Sequence, residues 1–233
     1  MKNLLFIVFV FFMANVLSYA YDGEYIKLEK KYTLNENGDF IYHYFHKIKL
    51  NTYSAYSDFG EFFIPYHPEY QKLTIIKAET ATPSGKIVPA PEKDPYREYL
   101  PKIFSHTGYY NDYKEYIVHH VGLELGCVVE LEYEITTKKE FVPFVNIVLP
   151  LHNENPIQEL LISFTVPKEI EVYEYLSGRN EKAELVENGQ DKTYSWKFSQ
   201  LNPCLENDRF KVCPEEAPVL QISTKKLDFL KEY

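Results

Sequence analysis

Residues 40–50 read FIYHYFHKIKL, and they decide the fold because every second side chain along them belongs to one common face. The side chains that share one face at a period of two residues are Tyr42, Tyr44, His46, Ile48 and Leu50. That period is typical of a β-strand and not of a helix. Just before this stretch lies NENGD, residues 35–39, whose Asn-Gly pair favours the positive φ of a tight turn. With Glu24–Leu34 on the other side of the turn, the sequence predicts a β-hairpin.

The rest of the chain is interpreted as further short strands separated by breaks rich in Pro, Gly and Asn. These predicted strands are Leu73–Thr82, Lys86–Pro89, Tyr113–His119, Val128–Thr137, Val142–Leu149, Glu159–Val166, Ile170–Leu176, Ala183–Val186 and Thr193–Phe198. Such a series predicts an all-β protein with a β-sandwich-like, two-sheet architecture of many antiparallel strands. We expect this domain to span residues 21–200. Residues 201–233 are expected to form an irregular connecting segment and, over Thr224–Tyr233, a short C-terminal helix with an apolar stripe.

The first residues predict that the protein is exported. Lys2 is followed by the apolar run Leu4–Leu17 and then by Ser18-Tyr19-Ala20, which places small side chains at the −3 and −1 positions of a cleavage site. This is the layout of a secretory signal peptide. The run is shorter than the roughly 20 apolar residues of a membrane-spanning helix. We therefore expect residues 1–20 to be cleaved, leaving a periplasmic or extracellular chain without a transmembrane helix.

Charge and cysteine content narrow the classes of partner. The chain has a formal net charge of −9, which argues against nucleic-acid binding because phosphate contacts require clusters of Lys and Arg. In an oxidising compartment, Cys204 and Cys213 are close enough in sequence to close a small disulfide loop. Cys127 lies beside Val128 and Val129 and is expected to be a buried apolar residue.

The stretch ETATPSGKIVPAPE, residues 79–92, contains a Ser-Gly-Lys that suggests a phosphate-binding loop. Thr80 stands where such a loop needs its first Gly, and Ile87 stands where it needs Ser or Thr. The stretch instead predicts a strand, a turn and a second strand, with Pro83 and Gly85 in the turn. We therefore expect no phosphate site here.

Neither a metal centre nor a catalytic site is predicted. The seven histidines are spread along the chain and are expected to be half-buried or on the surface. His43 and His46, like His119 and His120, would point to opposite faces of a strand, so neither pair would chelate a metal. A hydrolase that uses Cys127 is the least favoured hypothesis, because a strand lacks the helix N-terminus or cations that activate a thiol. We expect no cofactor and no enzymatic activity.

The segment Tyr96–Tyr116 (YREYLPKIFSHTGYYNDYKEY) is unusually rich in tyrosine. Its rings, beside Asn, Asp and Arg, suggest a carbohydrate- or peptide-binding protein of the cell envelope. In the alternative that we favour, the rings pack the loop against the sheet, because large aromatic side chains dominate protein cores. The candidate ligand-binding residues are Tyr96, Tyr99, Tyr109, Tyr110 and Tyr113.

Several short motifs follow one another in an order that resembles a known family. They are Ile64-Pro65-Tyr66-His67-Pro68, Leu73–Ala78, Thr82-Pro83-Ser84-Gly85-Lys86, VGLELGCVVELEYE over Val121–Glu134, Phe164-Thr165-Val166-Pro167 and Tyr194-Ser195-Trp196. In this order they resemble the uncharacterised β-rich domain that precedes transglutaminase-like, papain-like domains in exported bacterial proteins. The resemblance covers about residues 24–200. It implies an accessory or binding module whose partner is a transglutaminase-like domain.

The catalytic half of that family has no counterpart in this sequence. Family members continue into a domain with a Cys-His-Asp triad, whose motifs are absent here, so no triad residue is assigned. The apolar stripe of Thr224–Tyr233 stands about where the first helix of that domain would begin. It marks a truncated or split protein, or else it packs on its own sheet or on a partner. The leading hypothesis is a non-catalytic, exported β-sandwich module that binds or positions a partner.

Overall fold

The computed structural model describes residues 21–91, 98–99, 112–207, 210–212 and 217–226, with the backbone alone for 98–99, 205–207 and 210–212. Nearly all of its regular structure is β. The strands are β1 (Gly23–Leu34), β2 (Phe40–Leu50), β3 (Glu61–Tyr66), β4 (Gln71–Ala81), β5 (Ile87–Pro89), β6 (Glu98–Tyr99), β7 (Lys114–His119), β8 (Val128–Thr137), β9 (Asn146–Pro150), β10 (Ile157–Pro167), β11 (Tyr173–Leu176), β12 (Glu184–Asn188), β13 (Asp191–Leu201), β14 (Leu205–Asn207), β15 (Phe210–Val212) and β16 (Val219–Ser223). Within these residues the one helix is α1 (Ala55–Phe59). The all-β prediction is confirmed.

The strands are distributed over one large sheet and several small ones. The large sheet has eight strands in the order β12-β13-β10-β1-β2-β8-β4-β5. The described residues also form three smaller sheets: the three-stranded β11-β16-β9 and β3-β7-β6 and the two-stranded β14-β15. Neighbouring strands are antiparallel throughout, as predicted, apart from β1 and β10, which are parallel.

Both predicted turns form. β1 and β2 pair from Leu34–Phe40 to Gly23–Leu50, and Gly38 in their turn has a φ of 88°. In the second turn, the Gly85 N–H donates to the Thr82 carbonyl at 2.9 Å, and the φ of Gly85 is 86°. These values lie in the left-handed region that glycine adopts without strain. The stretch with Ser-Gly-Lys is therefore strand, turn and strand, as its sequence predicts.

One face of the large sheet carries the hydrophobic core, and we call it the covered face. Tyr44 and Tyr133 are cross-strand neighbours on it, with ring centroids 4.9 Å apart, and Phe164 of β10 is fully buried on the same side. Ile64 of β3 and Leu220 of β16 belong to the same core, so two small sheets close over this face. Burying a side chain of this size contributes roughly 1.5–3 kcal/mol.

The opposite side of the large sheet, which we call the open face, carries charged side chains at the alternate positions. Glu130 of β8 lies between Lys47 of β2 and Lys77 of β4, at N–O distances of 2.8 and 2.5 Å. Glu29 of β1 is bridged in the same way by two lysines of its own strand. Opposite charges on neighbouring strands stabilise a sheet by about 0.2–1 kcal/mol per pair. The period-two alternation thus gives the same strands two chemically different faces.

Several elements are absent from the sequence-based prediction. β3 contains Pro65, which counts against a strand, but β3 lies at the edge of its sheet, where a proline is tolerated. Residues 201–233, predicted to be an irregular connection, contain the hairpin β14-β15 and the core strand β16. The predicted helix falls mainly on residues 227–233, and the predicted signal peptide on residues 1–20; both ranges lie outside the described residues. No helix in the described part of the chain has the length and apolar character needed to cross a bilayer.

Candidate functional site

The tyrosine-rich segment is only partly described. Tyr96, Tyr109 and Tyr110 lie outside the described residues, and Tyr99 is described only through its backbone in β6, which pairs with β7. The side chain of Tyr113 is described, and it belongs to an aromatic cluster. Its ring centroid is 5.2 Å from His67 and 6.4 Å from Phe141. Tyr113 therefore packs against other rings, and a ligand-binding role for all five tyrosines stays a prediction.

A second group of tyrosines lies inside the covered face, where sequence reasoning did not look for a site. Tyr32 stacks on Tyr42 with ring centroids 4.8 Å apart, and Tyr44 stacks on Tyr133. Burial raises the pKa of each of these phenols, and it raises the pKa of Tyr25 nearby to about 12. The hydroxyl groups therefore stay protonated, so the cluster provides packing and hydrogen bonds but no phenolate.

Two buried histidines stand beside these tyrosines. His46 of β2 is 1% exposed and His120 is 6% exposed, so both are buried more deeply than the sequence predicts. The Tyr44 hydroxyl and Nδ1 of His46 are 3.0 Å apart. Nε2 of His46 and both ring nitrogens of His120 have no hydrogen-bond partner among the described residues. Such unpaired buried polar atoms cost free energy, so they destabilise this part of the core.

Burial keeps both imidazoles neutral. It lowers the pKa of His46 to about 3, and the neighbouring His120 lowers it further. It lowers the pKa of His120 to about 4, although the Glu79 carbonyl nearby favours protonation without reaching hydrogen-bond geometry. A general base works best when its pKa lies near the operating pH. We therefore expect His46 and His120 to make the core sensitive to acid, and neither is suited to proton transfer at neutral pH.

Cys127 is a core residue, as predicted. Its thiol is free, and the residue is fully buried at the point where β2 ends beside β8. Burial raises the pKa of the Cys127 thiol above its usual value. Since the thiolate and not the thiol is the nucleophile, the site lacks the depressed pKa of a catalytic cysteine.

The other histidines that the structure describes do not assemble a metal centre. Nε2 of His43 lies 2.8 Å from Glu132 on the open face, and Nδ1 of His119 lies 3.3 Å from Glu61. His43 and His46 thus point to opposite faces of β2, as predicted. Within the residues that the structure describes, no three His, Cys, Asp or Glu side chains come together to hold a metal ion.

Cys204 follows β13 and is disulfide-bonded. The hairpin that comes after it pairs Leu205 with Val212, so a bridge from Cys204 to Cys213 would close the open end of this hairpin. Cys213 lies outside the described residues, and the pairing stays a prediction. Peptide mapping of the unreduced protein by mass spectrometry would test it.

A groove of about 580 Å³, which we call the end groove, opens at the end of β1 and β2. Four separate parts of the chain build it, which is why no local motif predicted it: the hairpin turn, the loop at 139–145, the loop at 169–171 and the residues after β16. Its lining combines apolar side chains with charged ones of both signs. Phe144, which is 37% exposed, lies in a loop where the sequence predicts the strand Val142–Leu149, because the observed strand begins only at Asn146.

A second groove of about 430 Å³ lies at the other end of these strands. Glu24, Gln158 and Gln200 line it, and the Gln158 amide donates to Glu24 at 2.8 Å. Gln200 has a φ of 53°, the only positive φ of a non-glycine residue in the described ranges. Its polar residues are exposed or half-buried, so we assign no ligand to it.

Residues 36–204 match the family model described as a domain of unknown function with a solved structure, DUF3857. This chain belongs to the DUF3857 family. The matched region begins in the turn between β1 and β2 and ends at Cys204, so it contains most of the large sheet and both buried histidines. The turn that contains Gly85 and the parts of the covered face on β2, β8, β10 and β13 therefore lie within the matched DUF3857 region.

A solved bacterial structure has the same fold. A crystal structure from Parabacteroides distasonis, described as that of a candidate protease, is 31% identical with a TM-score of 0.82 and aligns with 88% of this chain. This DUF3857 chain spans only 41% of the length of that protein. A candidate nutrient-binding protein from Legionella pneumophila is 10% identical over 87% of this chain and 67% of its own, and its TM-score of 0.34 is too low to carry an argument. No curated protein matches the sequence.

Proposed function

We propose that this DUF3857 chain is an exported, non-catalytic module that binds or positions a catalytic domain of the transglutaminase-like or peptidase class. The observation that carries the proposal is the match to a Parabacteroides distasonis protein, because 88% of this chain aligns with only 41% of a longer protein that is described as a candidate protease. In that protein a fold of this kind is one part of a larger whole. The remaining part is where we place the chemistry.

The environments of Cys127, His46 and His120 in this chain also support a non-catalytic role. Cys127 is fully buried with a raised thiol pKa, so it is held as a core residue rather than as a nucleophile. His46 and His120 are buried on the covered face with pKa values of about 3 and about 4. These three side chains, which are of types that often act in catalysis, are thus used for packing.

A domain exchange would test the proposal. In the Parabacteroides distasonis protein, the region that matches this chain is replaced by residues 21–233 of this chain, and in a control it is replaced by an unrelated β-sandwich of similar size. We expect the rest of the host protein to unfold close to its native temperature in the first chimaera and at a lower temperature in the control. Equal unfolding temperatures in both chimaeras would contradict the proposal.

The same experiment includes an assay of the isolated chain. We expect residues 21–233 alone to show no hydrolysis of a fluorogenic casein substrate and no amide exchange between a glutamine peptide and a primary amine. Turnover by the isolated chain that disappears in a Cys127→Ala variant would overturn the non-catalytic assignment.

The alternative function is carbohydrate or peptide binding in the cell envelope through the tyrosine-rich segment. The alternative depends on Tyr96, Tyr99, Tyr109, Tyr110 and Tyr113, and the last of these also packs against His67 and Phe141. A peptidoglycan pull-down with the Tyr109→Ala, Tyr110→Ala double variant is the test. Binding that survives the double substitution would exclude these rings as the site.

A further inference from the structure

The end groove has an apolar interior that lies open in the described residues. Leu34, Phe40 and Ile170 form its floor and pack on the core beneath them. Phe144 forms one wall and remains 37% exposed. A volume of about 580 Å³ lies within the range of ligand pockets, roughly 300–1,000 Å³. The groove is therefore large enough to enclose several apolar side chains.

The chain itself leads into this groove. After β16, Thr224 donates its N–H to the Val145 carbonyl at 2.9 Å, and its hydroxyl oxygen accepts from the Val145 N–H at 3.0 Å. The ammonium group of Lys225 lies 5.3 Å from the centre of the Phe144 ring. These contacts fix the backbone on the groove wall. Since consecutive Cα atoms are about 3.8 Å apart, Leu227 begins within roughly 8 Å of Lys225.

The sequence that follows has the composition the groove requires. Residues 227–233 read LDFLKEY, with Leu227, Phe229 and Leu230 as apolar side chains. Asp228 and Glu232 add two negative charges, and Lys231 adds one positive charge. The lining of the groove also carries charges of both signs, from Lys139, Lys225, Glu169 and Glu171. Apolar side chains and charges of the segment thus each have a counterpart in the groove.

We propose that residues 227–233 bind in the end groove of the same molecule and cover Phe144. Tethering favours this occupant over a separate one, because a short link to the groove wall gives an effective concentration on the order of millimolar. The inference does not depend on the proposed function, since it concerns how the chain covers its own core. It answers the question raised by the apolar stripe of Thr224–Tyr233, namely what that stripe packs on.

The test is the coupling between the groove and the segment in the mature chain, residues 21–233. Phe144→Ala and Leu230→Ala are made singly and together. Residues in contact show non-additive effects, whereas independent residues add. We expect each single change to lower the Tm by about 2–4 °C, and the double variant to unfold no more than slightly below the less stable single variant.

Val148→Ala provides the matched control, because Val148 is 53% exposed on β9 and does not line the groove. Its effect should add to that of Leu230→Ala. If Phe144→Ala and Leu230→Ala also add, or if Leu230→Ala leaves the Tm unchanged, the proposal is wrong. Far-UV circular dichroism confirms that each variant is folded. Sedimentation at low and high protein concentration identifies the other occupant: a dimer that Phe144→Ala dissociates would assign the groove to a second copy and overturn the proposal.

Discussion

The covered and open faces of the large sheet come from the same strands but are stabilised in different ways. Side chains alternate along β2: Tyr44 and His46 point into the core. Phe45 and Lys47 point to the open face. The covered face packs rings and leaves Nε2 of His46 without a hydrogen bond. The open face pairs its charges, as Glu130 does with Lys47 and Lys77.

This difference shows which face contributes most to the stability of the fold and which face tolerates substitution. A covered-face side chain has to match the volume and polarity of its neighbours, because interiors are close-packed. An open-face charge can be replaced at little cost, since exposed ion pairs contribute only about 0–1 kcal/mol. We expect the covered face to respond to side-chain volume and to pH, and the open face to respond to salt.

The largest expected effect contrasts two phenylalanines. Phe164 is fully buried on the covered face, and its change to alanine should lower the free energy of unfolding by about 3–5 kcal/mol. Phe45→Ala on the open face is the matched control and should cost only about 1 kcal/mol. Urea unfolding followed by fluorescence of the single tryptophan, Trp196, measures both. Equal losses would contradict the division into two faces.

A second prediction uses acid. His46 and His120 have pKa values of about 3 and about 4 in the folded protein, whereas histidine in an unfolded chain titrates near 6.5. Below that pH the unfolded chain binds more protons, so stability should fall as the pH drops from about 6.5 toward 4. Each histidine contributes a slope of up to about 1.4 kcal/mol per pH unit.

Urea midpoints measured between about pH 7 and about pH 4 test this slope. His46→Leu should reduce this slope by about the contribution of one histidine. The open face is expected to lose stability only at a lower pH. Burial disfavours ionisation of Glu29 and Glu130, but hydrogen bonds from their lysine partners outweigh it and lower both pKa values below 4.5. Their contribution is therefore complete above pH 4.5 and is lost only below it. A His46→Leu variant with an unchanged slope above pH 4.5 would refute the covered-face assignment.

The smallest expected effect concerns the charge pairs of the open face. Glu130→Gln should cost about 1 kcal/mol or less, and the cost should shrink in 1 M salt, where the Debye length is about 3 Å. Glu134 on the same strand has no ion pair within the described residues, so Glu134→Gln is the control and should have a smaller, salt-independent effect. A Glu130→Gln cost that does not depend on salt would show that the pairs are not electrostatic in origin.

Local patterns were sufficient to predict most strands. Alternation along residues 40–50, together with Gly38 and Gly85 in their turns, specifies strands and hairpins because each signal lies within a few residues. β3 was missed because Pro65 opposes a strand unless it lies at a sheet edge, and edge position is a property of the assembled sheet. β16 was missed because Leu220 and Ile222 form a strand too short to show a convincing period.

The site was harder to predict than the fold. The burial of His46 follows from its place in the alternation, but the proximity of His120, about seventy residues away in sequence, depends on how β3 and β7 close over the covered face. The end groove was missed for the same reason, because its residues come from four separate parts of the chain. Sequence predicts which side chains share a strand face, but it does not predict which loops meet.

The reactivity of Cys127 in the folded protein is the most direct test of the claim that this chain carries no catalytic chemistry of its own. A chain of residues 21–233 is treated with iodoacetamide at neutral pH, and the labelled cysteine is located by mass spectrometry, with urea-unfolded protein as the control. Because Cys127 is fully buried and its thiol pKa is raised, we predict no labelling in the folded state and complete labelling after unfolding. Rapid, stoichiometric labelling of Cys127 in the folded protein would reveal an accessible thiolate and would contradict the account.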